Sequence, residues 1–391
     1  MKYSPTRIIG ALRRRQLDWF RGFVYRLFSF SPLRDAILFE SFQGKVIGDN
    51  PYAIFTEVRS RNPRFELLFT VNSKTKAPEG AKAIRHGSLG WLRAIATSKV
   101  LVNNTNFPGY FRKRTGQTYI QTWHGTPLKR LGRDIVDVVP TGSYLKMMDR
   151  EASFWDYLVS PSAYCSEVFA KTFGYRGKIL ETGYPRNDLL TAGLDKRDLL
   201  RRSLGITDPN QLVVLYAPTW RDSKRTATGN WKPVNFMAGS VGSDVAVLFR
   251  GHTNTHSAHS NQVAKGSIDV TNYKNVAELY LAADVLVTDY SSSMFDFSVT
   301  GKPMIFLAPD LDDYVAKRGF YFDFQQLAPG PILRDSSFLR KALENIEQQK
   351  IEYGARYLAW QEKFNKLEDG LASKRVVDNT LTAFHSLFSE H

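Results

Sequence analysis

From residue 36 onward, short apolar runs alternate with helical patterns, and the alternation happens twice. The first round has apolar runs at Ala36–Ser41, Phe65–Val71, Lys99–Asn103, Thr118–Thr122, Tyr157–Ser160 and Lys178–Thr182, with helix-like stretches at Pro51–Arg61, Leu89–Ala96 and Ala163–Phe173. A charged segment, Asp195–Ser203, interrupts it. The second round runs through Leu212–Ala217, Asp244–Arg250, Val285–Thr288 and Pro303–Leu307, with helical patterns at Val276–Ala283 and Ser337–Gln348. Runs of this length that are apolar throughout suit strands covered on both faces, and strand–helix alternation builds a mostly parallel sheet. The expectation is α/β: two doubly wound Rossmann-type domains facing a cleft, with ligands at the C-terminal ends of the strands. A length of 391 residues accommodates two such domains.

The segment before this alternation is different. Lys2, Arg7, Arg13, Arg14, Arg15, Arg21, Arg26 and Arg34 stand against Asp18 and Asp35, which places six of the chain's net +15 charges in residues 1–35. Between them Ile8, Leu12, Trp19, Phe20, Phe23, Val24 and Leu27 recur at helical spacing, with Pro5 to open a helix and Ser31-Pro32 to stop it. Arg21 and Arg26 break the apolar run that a transmembrane helix needs, and no cleavable signal fits. The expectation is an N-terminal amphipathic helix over residues 6–30 lying on an anionic membrane surface, weighed against one docked on the protein's own core.

The surplus of cations implies an anionic partner. Cys165 is the one cysteine, which excludes an intrachain disulfide or a multi-cysteine metal site and suits a cytosolic chain. His252, His256 and His259 lack an acidic or cysteine co-ligand, and Asp310-Leu-Asp312 is a weak pattern by itself, so no metal is expected.

Chemistry is to be sought where polar residues follow strand ends, and four places qualify. In Tyr119-Ile-Gln-Thr-Trp-His-Gly-Thr-Pro-Leu-Lys-Arg130 a strand ends at Thr122; His124 follows, Gly125 permits close approach, and Lys129, Arg130 and Arg133 add charge. Tyr184-Pro-Arg-Asn-Asp188 presents Arg186, Asn187 and Asp188 at the domain junction, or forms a plain turn. Tyr216-Ala-Pro-Thr-Trp-Arg221 offers Thr219 and Arg221. Ala283–Asp289 reads as a buried strand running into Tyr290-Ser-Ser-Ser-Met-Phe-Asp296, where the serines at a helix start suit a phosphate, or serve only as caps. Upstream, Leu248-Phe-Arg-Gly-His252 puts Arg250 and His252 at a neighbouring strand end.

Together, Trp123–Lys129, Tyr184–Asp188, Ala217–Arg221, Arg250-Gly-His252, Asn275-Val-Ala-Glu-Leu-Tyr280, Thr288–Ser292 with Phe295-Asp296, and Arg318-Gly-Phe-Tyr321 resemble the CDP-glycerol glycerophosphotransferase family of teichoic acid and capsule synthesis. The resemblance implies a GT-B-like fold, with 1–35 as the membrane-surface helix, 36–195 as an acceptor-side domain, 196–350 as a CDP-donor-binding domain and 351–391 as a C-terminal helical segment. It implies a peripheral transferase on the cytoplasmic face of the cell membrane that needs no cofactor. That enzyme moves glycerol phosphate from CDP-glycerol to a hydroxyl of a lipid-linked (polyprenyl diphosphate) acceptor and releases CMP. Polymerising relatives carry extra N-terminal sequence, so a primase adding one or few units is expected; oligomeric state is left open.

His124 is assigned as general base and His252 as the group stabilising the leaving phosphate. Thr219, Arg221, Arg250, Asn275, Ser291, Ser292 and Asp296 are expected to hold the donor. Lys129, Arg130, Arg186 and Asp188 are expected on the acceptor side. A CDP-ribitol-using enzyme and a sugar-nucleotide glycosyltransferase of the same fold are the alternatives. A basic membrane or nucleic-acid binding module leaves the polar strand ends unexplained, and no nucleic-acid partner is expected.

Overall fold

A computed structural model describes residues 5–136, 142–219, 241–242, 244–251 and 267–381, with side chains from residue 15. The first round of apolar runs forms β1 (Arg34–Glu40), β2 (Glu66–Val71), β3 (Lys82–Arg85), β4 (Ser98–Asn103), β5 (Thr118–Gln121), β6 (Tyr157–Ser160) and β7 (Lys178–Glu181). They lie in one sheet in the order β3-β2-β1-β4-β5-β6-β7, every pair parallel. The second round forms β8 (Leu212–Ala217), β9 (Val245–Phe249), β10 (Ile268–Asp269), β11 (Val285–Thr288), β12 (Met304–Leu307) and β13 (Ile332–Leu333), in the order β10-β9-β8-β11-β12-β13, again all parallel. In each sheet the strand order reverses once, between β1 and β4 and between β8 and β11. A crevice opens at such a switch point, because the connections on its two sides leave in opposite directions.

Helices cover both faces of both sheets. α1 (Pro5–Phe28), α2 (Asp49–Ser60), α3 (Leu89–Thr97), α4 (Gly142–Ala152) and α5 (Ala163–Phe173) accompany the first sheet; α6 (Asp188–Ala192) and α7 (Arg197–Ser203) lead to the second. There α8 (Val276–Ala282), α9 (Ser293–Phe297), α10 (Leu311–Arg318), α11 (Phe324–Leu327) and α12 (Leu339–Glu344) follow, before α13 (Ile346–Phe364) and α14 (Ala372–Thr380). Alternate strand residues enter different cores: Ile37 and Phe39 meet Ile54 and Phe55 of α2, while Ala36 and Leu38 meet Trp91 and Ile95 of α3. The strands therefore read as unbroken apolar runs.

The strands absent from the sequence reading, β3, β10 and β13, are short sheet edges. Paired on one side and partly exposed, they carry no apolar run to announce them. The single helix expected over Ser337–Gln348 breaks at Asn345 (φ −105°, ψ 25°), where α12 ends and the longer α13 begins.

The C-terminal helices return to the first domain. Trp360 and Phe364 of α13 pack in the second domain's core, and Phe364 also meets Tyr164 of α5 edge-on at 5.0 Å. Val376 and Val377 of α14, with Leu381, lie on the Ile37–Phe39 face of the first sheet. A second seam joins the domains in between: Arg130 N donates to Gly319 O (3.1 Å) and Tyr321 N to Leu128 O (2.9 Å).

Helix α1 is docked on the first domain along one face. Tyr25 is buried and donates its hydroxyl to Arg112 O at 2.5 Å, and a methyl on Gly22 would stand 3.1 Å from Tyr110 Cβ. Its other face leaves Leu17, Trp19 (74% exposed), Phe20, Phe23 and Leu27 uncovered, with Phe30 (86%) just beyond. Among the described residues no helix is long and apolar enough to cross a membrane.

Candidate active site

Both switch points lie at the domain junction, and polar residues tie the strand ends together there. In the second sheet Asp289, after β11, accepts from Thr219 N at 2.8 Å, after β8. In the first, Asn104 follows β4; its side-chain oxygen accepts from Phe42 N (2.9 Å), after β1. The Asn104 backbone carbonyl faces His124 Nδ1 at 2.7 Å.

That last contact sets the chemistry of His124. A carbonyl oxygen only accepts, so Nδ1 carries the proton and the neutral ring keeps its lone pair on Nε2. The ring is stacked on Trp123 (centroids 4.3 Å) and met edge-on by Phe42 (5.6 Å). Burial pushes the pKa of His124 below the ordinary histidine value; Asn104 O and Asp49 oppose that shift and Arg186 adds to it. The result is an oriented imidazole, neutral near pH 7, with a basic Nε2.

The backbone around it is held from below. Asn50, fully buried in α2, donates its amide to Thr122 O (3.3 Å) and Trp123 O (3.4 Å) and accepts from Arg186 N (3.1 Å). Trp123 has φ +52°, a left-handed conformation that is strained for a bulky residue and needs such support. At Gly125 the domains approach closely: a Cβ there would stand 3.0 Å from Ser292 Oγ and 3.2 Å from Ser292 Cβ. The close approach expected of Gly125 is thus to Ser292, which would have to give way by a few tenths of an ångström to a side chain there.

Arg186 has a different partner from the one expected. Its guanidinium, 9% exposed, lies between two carboxylates: Asp49 (3.2 Å) and Asp296 of α9 (3.0 Å). Asn187 also donates to Asp296 Oδ1 (3.2 Å), and Arg186 lies over the Tyr184 ring at 4.5 Å. Burial alone would lower the pKa of Arg186, but Asp296 and Asp49 more than reverse this and keep it charged. Glu368 completes the buried group, accepting from Tyr184 N at 3.0 Å; burial pushes its carboxyl up to about 8.

Other expected ligand residues have structural tasks. Asp188, assigned to the acceptor, accepts from Ala372 N (2.9 Å) and Ser373 N (2.8 Å) and so caps α14, because a carboxylate satisfies helix-start donors. Asn275, assigned to the donor, caps α8 by accepting from Ala277 N (3.2 Å). Arg250 Nη1 supports the carbonyls of Val270 and Tyr273, both at 3.1 Å. Ser291 Oγ bonds Ser293 Oγ (2.9 Å) and accepts from Ser293 N (3.2 Å), while Ser292, the residue before α9, makes no side-chain cap bond. Lys129 Nζ lies 6.0 Å over the Tyr314 ring, and the Arg130 side chain is exposed. Asp310 accepts from Tyr290 OH (3.0 Å) and Asp312 pairs with Arg334 (3.0 Å), so the Asp-Leu-Asp pattern is spent on packing. His252 and Arg221, with His256 and His259, lie outside the described residues. Among the described residues no His/Cys/Asp/Glu cluster could hold a metal.

Sequence reasoning missed Asp49, Asn50 and Asn104. Asn104 directly follows β4, whereas Asp49 and Asn50 open α2 beyond the turn at Phe42–Gly44 that follows β1, so no strand end points to them.

Two parallel-sheet domains meeting at their switch points around an oriented neutral histidine define a GT-B-like protein. Comparison with known proteins narrows this. The family model described as CDP-Glycerol:Poly(glycerophosphate) glycerophosphotransferase matches residues 23–382. The teichoic acid poly(glycerol phosphate) polymerase of Bacillus subtilis (strain 168) is 36% identical over 90% of the chain, which spans 49% of that relative's length. The teichoic acid glycerol-phosphate transferase of Staphylococcus aureus (strain NCTC 8325 / PS 47) is 37% identical over 90% of the chain and 94% of its own length. Solved structures of the wall teichoic acid polymerase TagF superpose with TM-score 0.85 at 32% identity, over 98% of this chain and 99% of theirs. One of them is a variant soaked with CDPG. The chain belongs to the CDP-glycerol glycerophosphotransferase family.

Proposed function

We propose that this protein transfers glycerol phosphate from CDP-glycerol to a hydroxyl of a lipid-linked acceptor in teichoic acid or a related polymer. The observation that carries the reading is His124, fixed by Asn104 O in the tautomer whose Nε2 is a base. In the proposed step the acceptor oxygen attacks the β-phosphorus of CDP-glycerol. The new P–O bond forms in line as the bond to the CMP oxygen breaks, and Nε2 of His124 takes the hydroxyl proton. His252 donates to the leaving CMP phosphate. Residues 36–195 receive the acceptor, and residues 196–350 hold the donor through the strand ends at Thr219 and Ser292.

Residues 1–35 hold the enzyme on the cytoplasmic face of the membrane, their cations near anionic lipid and the uncovered Trp19–Leu27 face in the interface. The test is nucleotide release: incubation with CDP-glycerol and a glycerol-terminated acceptor yields CMP by this reading. A sugar-nucleotide glycosyltransferase would instead release a nucleoside diphosphate, and a parallel incubation with CDP-ribitol sets the polyol.

A further inference from the structure

The loop after β1 runs from His124 to a corner of the first domain that the site above does not use. Phe42 touches the His124 ring, and two residues on, Gly44 packs on the Val71 backbone, where a Cβ would stand 2.8 Å from Val71 C. Val71 O in turn accepts from His86 N at 2.8 Å. These contacts put Lys45 and His86 at the same corner, at the C-terminal ends of β1, β2 and β3. From above, α1 lays the Arg21 guanidinium over Gly87, with Nη2 2.9 Å from the position of a Cβ there.

The corner is cationic, and the acids that share the surroundings of Tyr110 with Arg21 are Asp18, one turn earlier on α1, and Glu40. Among the described residues no carboxylate stands within ion-pair distance of Arg21 or Lys45. The buried acid Glu40 accepts from Trp91 Nε1 at 2.7 Å, and the Trp91 ring supports His86 at 4.5 Å. Burial, then Arg21 and Lys45, push the pKa of His86 below its ordinary value, as expected where cations converge. The connecting loop is strained as well: Phe42 (φ +47°) and Gln43 (φ +59°) are consecutive non-glycine residues in the left-handed region. Strain of this kind persists where a conformation serves a site.

We propose that Arg21, Lys45 and His86 form a subsite for a phosphate of the acceptor, placed between the uncovered aromatic face of α1 and the base His124. The proposal rests on the acceptor being lipid-linked, as read above. Arg21 lies on the docked side of α1, nearly opposite Trp19 and Phe23, so a chain leaving the membrane at these aromatics passes round the helix to reach the three cationic or N–H-donating groups. The Phe42 loop then leads its far hydroxyl to Nε2. Anion recognition by Arg and Lys at such a corner uses charge-assisted hydrogen bonds.

The experiment compares two acceptors that share one glycerol-terminated disaccharide, one on a prenyl diphosphate tail and one on an uncharged alkyl ether tail, with the full chain and CDP-glycerol. Wild type is expected to prefer the diphosphate acceptor in kcat/KM. Arg21→Gln and His86→Gln are each expected to cut that preference about tenfold. Arg21→Lys is expected to restore part of it, and the thermal midpoint to hold. A preference unchanged in both Gln variants overturns the subsite while CMP release keeps the functional reading. No CMP release by wild type with either acceptor overturns the functional reading instead. Should Arg21→Gln lose preference only in step with sedimentation on vesicles of anionic lipid, and His86→Gln lose none, the charge reads the lipid surface and the subsite is refuted.

Discussion

The Arg186 guanidinium reaches from the first domain to Asp296 of the second, 3.0 Å away, while its other nitrogen holds Asp49 at 3.2 Å. One buried cation thus joins the two domains and lies within electrostatic reach of His124. Removing it leaves two carboxylates buried together without compensation. Arg186→Met is expected to cost about 3–5 kcal/mol, the range for breaking a buried ion pair from one side. Urea unfolding followed by tryptophan fluorescence checks it, and wild-type stability in that variant would refute the role.

His124→Ala is expected to lower turnover by about 10²–10⁴-fold while calorimetry shows CDP-glycerol still bound. The pH profile adds a finer test. The base is lost as pH falls through the lowered pKa of His124. Asp49 opposes that lowering. Asp49→Asn tolerates the left-handed backbone (φ +61°) and is expected to move the acidic limb of kcat/KM to lower pH. A limb that stays in place, or moves up, contradicts the coupling.

Gly125→Ala forces a methyl to 3.0 Å from Ser292 Oγ. Activity is expected to fall about tenfold or more, since small displacements at a reacting centre are amplified. Ser292→Gly in the same chain removes both clashing atoms and is expected to recover part of the loss. Independent, additive effects of the two changes in a double-mutant cycle would show that the clash is not the cause.

Glu40 is fully buried at the end of β1, and burial pushes its carboxyl up from 4.5 to about 7. Its raised folded-state pKa means that folding favours the protonated form. The stabilising contribution is present below about 4.5 and is lost as pH rises to about 7. Glu40→Gln keeps an acceptor for Trp91 Nε1. It is expected to be more stable than wild type at pH 8, by on the order of 3 kcal/mol, with a flatter stability profile between those values. Equal profiles for the two proteins would disprove the assignment.

Trp19 and Phe23 stack on each other at 6.2 Å on the uncovered face of α1. Replacing both by serine is expected to weaken sedimentation with anionic vesicles about tenfold or more, since each aromatic loses its burial in the interface. The thermal midpoint should hold, because neither side chain packs in the core.

The sheets were legible because their signal is local. A strand buried on both faces needs consecutive apolar residues, so β1, β4, β5, β8 and β11 stood out, and the polar residues beyond β5, β8 and β11 marked His124, Thr219 and Ser292. The edges β3, β10 and β13 were not legible, since an edge strand needs neither full burial nor a long run. The same limit applied to Asp49, Asn50 and Asn104, ordinary turn residues in a linear reading that become second supports of the base only when β1 and β4 lie side by side.

What the chain's own pattern determined, then, was two doubly wound domains, a basic aromatic N-terminal helix and the strand ends where chemistry would lie, because periodicity and apolarity act over neighbouring residues. Partnership was decided by the tertiary structure. Arg186 could have met a ligand, yet it meets Asp49 and Asp296, separated from it by more than a hundred residues in sequence in each direction. Asp188 and Asn275 cap helices α14 and α8 for the same reason. A charged or polar side chain is satisfied by whichever group lies within about 3 Å, and only the packed fold brings those groups into reach.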